Sequence, residues 1–300
     1  TGAEVLDNPV GTAPGFLLEW KRSVVLAIPG VSKEAQAMFE SQVVPRLDRH
    51  LSSSHVVQQK MVSTFGLTEL QIDDRLQPII QSFPLVQLSL LASTLGVSVV
   101  LREWVTRKND SPRGQVITEL KKLLPAVRQT LGGSVYAEDN QTMETVVGQQ
   151  LKSMSLTMAL AESCTGGFIG HRLTQVPGSS TYLDRGFVCY SNQAKQDLLN
   201  VPTKYLQRYG AVSAPVAKAM AVGARTRSKT DIGLSVTGIA GPEGGSVNKP
   251  VGLVFIGIDG PHGVQTKKFQ FHGDRADVKV RASQAALNIL RLYLLQMSET

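Results

Sequence analysis

Residues 159–170 read Ala159-Leu160-Ala161-Glu162-Ser163-Cys164-Thr165-Gly166-Gly167-Phe168-Ile169-Gly170. Over positions 155–161, leucine and methionine alternate with smaller or polar residues, a pattern that predicts a strand with one buried face. From Phe168 to Leu173, apolar residues recur at helical spacing. The stretch therefore predicts a strand, a tight Gly-Gly turn and a helix, in that order.

The predicted turn places a hydroxyl, a thiol and unpaired backbone N–H groups at the start of a helix, where the helix dipole favours negative charge. Such a place suits an oxyanion, either a bound phosphate or the oxyanion that forms when Ser163 attacks a carbonyl carbon. Gly166 and Gly167 would let a ligand approach the backbone closely. The alternative is that residues 163–165 only cap the helix, because capping sequences of this type are common.

The composition is that of an ordinary globular protein, with 42% hydrophobic and 18% charged residues in a chain of 300. This length allows two or more domains, each with its own core. The net charge of +7 permits an anionic ligand. No dense block of Lys and Arg with interleaved aromatic residues occurs, so we expect no nucleic-acid partner.

Cysteine and histidine patterns argue against a metal site. Cys164 and Cys189 lack CxxC spacing, which argues against a disulfide framework and favours a reducing, cytoplasmic compartment. The five histidines show no metal-ligand spacing, and we expect His171 to be exposed or at the edge of the core. No apolar run reaches membrane-spanning length, so we expect no membrane association. Because residue 1 is Thr rather than Met, we expect a fragment of a longer chain.

The first 51 residues have the pattern of an incomplete α/β unit. A strand is predicted over residues 23–28 and a helix over residues 32–47, with Ser32 as its N-cap. One strand and one helix cannot enclose a core, so we expect partner strands upstream of residue 1.

A second, small unit follows. It is predicted to contain a strand, a helix and two further strands, at residues 56–64, 69–81, 85–91 and 97–105. This order resembles a KH module, but the GxxG loop on which KH binding depends is absent. We therefore expect a structural spacer. A polar turn over residues 107–114 and a helix over residues 116–131 lead to the last domain, whose boundary we place near Gly133.

Lys195 is a candidate base in the second half of the chain. A strand is predicted over residues 185–190, and Ser191-Asn192 is predicted to cap a helix over residues 193–199. Lys195 falls in the first turn of this helix, where the dipole disfavours a cation and lowers its pKa. The alternative is an ordinary surface lysine.

A second glycine-rich loop, residues 238–246, follows a strand predicted over residues 232–237. Two such loops at strand ends define a crevice in an α/β sheet, which is the usual place for a ligand. A strand pair over residues 251–258 and 264–272 and a helix from Asp274 to Gln296 complete the chain.

Four motifs follow one another in this half. They read Ala161-Glu162-Ser163-Cys164-Thr165-Gly166-Gly167, Tyr190-Ser191-Asn192-Gln193-Ala194-Lys195, Val236-Thr237-Gly238-Ile239-Ala240-Gly241-Pro242 with Gly244-Gly245, and Lys249-Pro250-Val251-Gly252. Together they closely resemble the C-terminal domain of the CinA family, which is a nicotinamide-nucleotide amidase, also called nicotinamide mononucleotide deamidase. The resemblance implies a three-layer α/β fold for residues 134–300.

Upstream motifs extend the resemblance. Residues 8–16 and 28–31 look like the end of the family's molybdopterin-binding-like domain, which would place a truncated α/β domain at residues 1–51. The family pattern then implies a KH-like α+β domain at residues 52–110 and a connecting helix at residues 111–133. In full-length relatives the first domain can be an ADP-ribose pyrophosphatase that needs a divalent metal. Its earlier strands and glycine motif are absent here, so we expect neither that activity nor a cofactor.

The resemblance also implies a mechanism. Lys195, assisted by Tyr190, would take the proton of Ser163, which attacks the carboxamide of nicotinamide mononucleotide. Backbone N–H groups of Thr165, Gly166 and Gly167 would hold the oxyanion. The residues expected to bind or orient the substrate and its phosphate are Thr237, Gly238, Gly241, Gly244, Gly245 and Arg281.

Two alternatives stay open at this point. Cys164 is intrinsically the better nucleophile and could replace Ser163 in that role. In a different functional class, the chain could be a non-catalytic nucleotide-sensing or interaction module related to competence and DNA damage. The resemblance further suggests a homodimer or larger assembly, and it does not separate the mononucleotide from its deoxy or riboside analogues.

Overall fold

The structure is a computed structural model that describes residues 2–21, 23–50, 55–106 and 118–298. The turn expected over residues 107–114 lies outside the described residues. The chain divides into two units: residues up to 56 together with a segment that begins at residue 104, and a larger unit formed by residues 57–103 and the residues from 115 onward.

The first unit holds a three-stranded antiparallel sheet and two short helices. Strands β1, β2 and β3 span Ala3–Leu6, Gly15–Trp20 and Ser23–Ala27, and helices α1 and α2 span Ser32–Met38 and Val44–His50, separated by a π-helical segment, Phe39–Val43. Our expectation of one strand was wrong, because β1 is very short and β2 begins within a stretch rich in Gly and Pro. Val31, rather than Ser32, occupies the N-cap position of α1.

A four-stranded sheet begins the larger unit, in the spatial order β5-β6-β4-β7. These strands span His55–Thr64 (β4), Val86–Ser93 (β5), Gly96–Thr106 (β6) and Val135–Glu138 (β7). Helices α3, Glu69–Ile80, and α4, Glu119–Leu131, pack on one face of the sheet through buried leucine, isoleucine and valine residues. A short 3-10 segment, Gly132–Ser134, joins α4 to β7.

Strand β7 follows Gly133 closely and belongs to the four-stranded sheet. Val62 and Ser63 of β4 pair with β7 in antiparallel register. The sequence pattern does not specify this partner, because strand pairing depends on contacts between residues far apart in the chain.

The second sheet of this unit has five strands in the order β12-β11-β10-β8-β9. They span Met158–Glu162 (β8), Leu183–Val188 (β9), Ile232–Gly238 (β10), Leu253–Asp259 (β11) and Gln265–Gln270 (β12). Strand β8 is parallel to both β9 and β10, whereas β11 and β12 are antiparallel to their neighbours.

Helices cover both faces of this sheet. They span Met143–Ser153 (α5), Phe168–Thr174 (α6), Asn192–Leu199 (α7), Thr203–Tyr209 (α8), Ala214–Ser228 (α9) and Arg275–Ser298 (α10), with a 3-10 segment at Ser179–Thr181. Helices α5, α6 and α10 pack on one face, and α7, α8 and α9 on the other. The expected three-layer α/β fold is therefore confirmed.

Strand β8 is buried on both faces, not on one as its alternation suggested. Met158 and Leu160 belong to the core with α10, while Ala159 and Ala161 belong to the core with α9. The small residues that we took for a solvent-facing side let α9 approach the sheet closely. No helix in the described part of the chain is both long and apolar enough to cross a bilayer.

The topology creates a crevice at the carboxyl end of β8. The chain leaves β8 toward β9 on one side and later returns to β10 on the other, so the segments that follow these parallel strands diverge. Glu162 pairs with Val188 of β9 and with Val236 of β10. Ser163, the Cys189–Tyr190 segment and the loop after Gly238 therefore meet at one edge of the sheet.

Candidate functional site

Ser163 and Lys195 are in direct contact at this edge. Ser163 follows β8, and Lys195 lies near the start of α7, whose N-cap is Ser191 as predicted. The Nζ of Lys195 lies 3.1 Å from the Oγ of Ser163. Lys195 is 1% exposed and Ser163 8% exposed, so the pair is shielded from bulk water. The alternative of a surface lysine was wrong.

The surroundings of Lys195 suit a neutral amine. Its Nζ lies 2.7 Å from the carbonyl oxygen of Cys189 and 3.4 Å from that of Tyr190. A neutral amine has two N–H donors, which the two carbonyls can accept, and one lone pair, which is left for the hydroxyl of Ser163. Burial lowers the pKa of Lys195, and the Cys189 and Cys164 thiols offset this only in part.

Cys164 lies in the core rather than in the site. It is 5% exposed, and a Cβ on Gly238 would lie only 3.1 Å from its Sγ. Burial, together with the nearby Glu162 carboxylate, raises the pKa of the Cys164 thiol to about 12. Because a thiol must ionise to attack, this environment argues against Cys164 as the nucleophile.

The Gly-Gly turn is built around Glu162. Gly166 and Gly167 have φ angles of +62° and +92°, a conformation that favours glycine. The Glu162 carboxylate accepts hydrogen bonds from the N–H groups of Gly167, Ile169 and Gly170. Gly167 is the N-cap of α6, and the Glu162 carboxylate caps the helix in place of an N-cap side chain, so residues 163–165 are not the capping sequence.

Two of the three expected oxyanion donors are already used. The N–H of Gly166 donates to the Ser163 carbonyl and that of Gly167 to Glu162, so both expectations need correction. Within the described residues, the N–H groups of Cys164 and Thr165 donate to no oxygen and have the Cys164 sulfur as a neighbouring acceptor. The buried hydroxyl of Thr165 has no hydrogen-bond partner there either.

Tyr190 contacts Lys195 through its backbone only. Its side chain is 62% exposed, and its hydroxyl accepts a 2.8 Å hydrogen bond from Arg275. The phenol is therefore exposed and hydrogen-bonds to Arg275, not to the amine that we expected it to assist. Sequence could place Tyr190 after β9 but not the direction of its side chain.

Thr237 and the second glycine loop have mostly structural contacts. The Thr237 hydroxyl donates to the carbonyl of Ala211 at 2.9 Å, which uses its one donor. Gly238 packs against β11, where a Cβ would clash with Val254. Gly244 and Gly245 are exposed, whereas Gly241 is buried and lines a cavity beside the site.

This cavity of about 590 Å³ carries two cations. Its lining comprises Ala240, Gly241, Pro242, Val251, Gly273, Asp274, Arg275, Ala276 and Lys279. The Nζ of Lys279 lies 3.8 Å from the position that a Cβ on Gly166 would take, which places it beside the turn that follows Ser163. Arg275 donates to the carbonyl of Gly241 at 2.8 Å.

Arg281, the arginine of α10 that we expected to orient the substrate, lies apart from this cavity lining. Its buried Nε has no hydrogen-bond partner among the described residues. Arg275 and Lys279 are four residues apart at the start of the helix, a spacing that puts them on one face. Both residues follow closely on Asp274, the predicted start of the helix, and this position in the sequence could have identified them. His171 is exposed and stacks on Phe168, as expected of a surface histidine.

No group of three His, Cys, Asp or Glu side chains in the described residues could hold a metal ion.

Residues 140–294 match the family described as "CinA C-terminal domain". A putative competence-damage inducible protein of Caldicellulosiruptor bescii is 42% identical over 290 residues, which cover 97% of this chain and 69% of that protein. The chain belongs to the CinA family.

Other CinA relatives agree with this assignment. A CinA-like protein of Geotalea uraniireducens is 39% identical over 295 residues, or 98% of this chain and 69% of the relative. The crystal structure of the competence/damage inducible protein CihA from Agrobacterium tumefaciens is 40% identical, with a TM-score of 0.50, and covers 51% of this chain and 94% of that one. The CinA match begins after β7 and contains Ser163, Lys195, Arg275 and Lys279.

Proposed function

We propose that this CinA-family chain is an amidohydrolase that converts nicotinamide mononucleotide and water to nicotinate mononucleotide and ammonia. The observation that carries the proposal is the contact between Ser163 and a buried Lys195. A serine next to a lysine with a lowered pKa is an activated nucleophile of the kind used in acyl transfer.

In the first half-reaction, the Ser163 proton moves to the Nζ of Lys195 as Oγ forms a bond with the carboxamide carbon. The N–H groups of Cys164 and Thr165 are the available donors for the oxyanion, and removing one such donor typically costs about 2.7–4 kcal/mol of barrier. The C–N bond then breaks, and the Lys195 ammonium gives its proton to the leaving group, which departs as ammonia.

Water completes the cycle. It attacks the acyl carbon and gives a proton to Lys195, and the bond between the carbon and the Ser163 Oγ breaks. Lys195 then returns the proton to Ser163, and the new carboxylic acid releases its own proton to water as nicotinate mononucleotide forms, so atoms and charge balance over the two steps. As an ammonium, Lys195 is stabilised by the carbonyls of Cys189 and Tyr190, which can accept in both protonation states.

Arg275 and Lys279 are the proposed phosphate ligands. Both line the cavity beside the Ser163 turn, and Lys279 forms no ion pair with a described residue. The first turn of the long helix α10 adds a favourable dipole for an anion. A mononucleotide whose carboxamide reaches Ser163 could thus place its phosphate between two cations.

The test is ammonia release from nicotinamide mononucleotide by the wild type, Ser163→Ala and Cys164→Ala. We expect Cys164→Ala to remain active and a folded Ser163→Ala to lose turnover above background. A folded wild type that releases no ammonia would overturn the proposal, and the site would then be assigned to nucleotide sensing without chemistry. Activity that depends on Cys164 instead would overturn the serine mechanism.

A further inference from the structure

Glu162 is the last residue of β8, and its carboxylate is buried beside the turn that carries Ser163. The side chain is 2% exposed. Its Oε2 accepts hydrogen bonds from the N–H groups of Gly167 and Ile169, both at 3.1 Å, and its Oε1 accepts one from Gly170 at 2.9 Å. Burying a carboxylate is costly unless hydrogen bonds compensate for lost water, and these three N–H groups supply that compensation.

We propose that Glu162 is a positioning residue for Ser163, an inference that rests on the proposed function. Its backbone is fixed in β8 between two parallel strands, while its side chain holds the far end of the turn at Gly167–Gly170. Ser163 lies between these two anchors. The left-handed conformations of Gly166 and Gly167 let the N–H groups converge on the carboxylate.

Both sides of the Ser163–Lys195 pair depend on Glu162. The carbonyl oxygen of Glu162 accepts the N–H of Cys189 at 2.8 Å, and the carbonyl of Cys189 in turn accepts from Lys195. The backbone of Glu162 thus supports the base, and its side chain supports the nucleophile. Its carboxylate also occupies the N–H group of Gly167, which is therefore not a donor for the oxyanion.

The chain offers a matched control in Glu103. This glutamate is 5% exposed, and its carboxylate accepts the N–H groups of Glu119 at 3.2 Å and Leu120 at 2.9 Å, at the start of α4. It therefore performs the same local task as Glu162 in the four-stranded sheet, where Ser163 is not a neighbour. A purely structural role predicts the same result for both residues.

The experiment compares Glu162→Gln and Glu103→Gln in the full chain. Glutamine keeps the shape of the side chain but turns one acceptor into a donor, which then faces a backbone N–H. We expect Glu162→Gln to lower kcat for ammonia release about 10- to 100-fold with little change in KM, because small misplacements of a nucleophile have effects of this size. We expect Glu103→Gln to lose thermal stability but keep kcat. Equal kcat values for the wild type and folded Glu162→Gln, or equal losses of kcat in both variants, would overturn the proposal.

A readout independent of the substrate separates this inference from the proposed function. Ser163 should react with a fluorophosphonate probe more slowly in Glu162→Gln than in Glu103→Gln or the wild type. A wild type that is labelled but releases no ammonia contradicts the amidase proposal, while the labelling rates still decide the role of Glu162. If Glu162→Gln does not fold, Glu162→Asp replaces it under the same criteria, since aspartate keeps the charge but withdraws the carboxylate. Hydrogen exchange in the wild type gives a last check: the amides of Gly167, Ile169 and Gly170 should exchange slowly, and exchange as fast as in an unfolded chain would overturn the proposal.

Discussion

The guanidinium of Arg275 donates a 2.8 Å hydrogen bond to the hydroxyl of Tyr190. A second nitrogen of the same side chain donates to the carbonyl of Gly241 at 2.8 Å. Arg275 therefore links the segment after β9 to the loop after β10, and it does so from the first turn of α10. A phosphate that entered the cavity would meet this guanidinium with its planar donors already held in place.

Replacing Arg275 by Ala should weaken phosphate recognition rather than chemistry. Hydrogen bonds to charged groups contribute about 1.5–3 kcal/mol, so we expect KM for nicotinamide mononucleotide to rise about 10- to 150-fold. The kcat value should change much less, because Ser163 and Lys195 are not touched. Steady-state kinetics of ammonia release, with the phosphate-free riboside as a second substrate, measures this.

Arg281→Ala is the matched control for that measurement. Arg281 lies on the same helix but does not line the cavity, so its removal should leave KM for the mononucleotide unchanged. For Arg275→Ala, the riboside should be used as it is by the wild type. The phosphate assignment is wrong if Arg275→Ala raises KM equally for the two substrates.

The features that were predicted correctly are local ones, because they depend on residues that are close together in the chain. The strand before Ser163, the helix after it and the Ser191 cap of α7 were all predicted at nearly the observed positions. The contact between Ser163 and Lys195 was expected from the resemblance to the CinA family. The residues alone predicted a crevice between the two glycine-rich loops and left a surface position open for Lys195.

The predictions failed where the outcome depends on tertiary contacts and on side-chain direction. Glu162 lies within residues 159–170, yet only the folded structure shows that its carboxylate, rather than a ligand, accepts the N–H groups of Gly167 and Ile169. Side-chain direction is equally hidden. Tyr190 turns outward to Arg275, and α10 presents Lys279 instead of Arg281 to the cavity.

Cys164 should be unreactive toward thiol reagents in the native protein. Its pKa is raised to about 12, so almost no thiolate exists at pH 8, and the side chain is nearly inaccessible. Peptide mass spectrometry after brief treatment with iodoacetamide should find Cys164 unmodified in native protein and modified once the chain is unfolded in urea. Rapid native alkylation of Cys164 would contradict this environment and reopen its role as nucleophile.

Gly238→Ala should destabilise the fold. A Cβ there would lie 2.7 Å from the Cγ2 of Val254 and 2.8 Å from the carbonyl oxygen of Leu253. Overpacking of this kind typically lowers the free energy of unfolding by about 1–3 kcal/mol. Urea unfolding measures it against Gly133→Ala, where the nearest atom, of Leu292, is 3.9 Å away. Equal unfolding midpoints for the two variants would contradict the close packing of β10 on β11.

The pH dependence of kcat/KM should reflect the lowered pKa of the buried Lys195. Proton transfer from Ser163 needs the neutral amine, so kcat/KM should rise with pH and level off below the ordinary lysine pKa of 10.5, because burial lowers the pKa of Lys195. Lys195→Met should lose turnover by about 10²–10⁴-fold, the usual size of a general-base effect. A wild-type profile that keeps rising to pH 10.5 would contradict a lowered pKa.

The same shift in pKa should appear in stability. Between the lowered folded pKa and the unfolded value of 10.5, the unfolded chain binds more protons than the folded one, so the free energy of unfolding of the wild type rises with pH in this window. Below the folded pKa both states carry the proton, and the cost of burying the charge is present in full. Methionine does not titrate, so the stability of the wild type relative to Lys195→Met should increase from pH 7 toward pH 10. Urea unfolding at several pH values measures this difference, and Lys268→Met, at an exposed position on β12, controls for replacing a lysine by methionine. A difference between the wild type and Lys195→Met that stays constant with pH would mean that Lys195 keeps its ordinary pKa in the fold, and Ser163 would then lack its base.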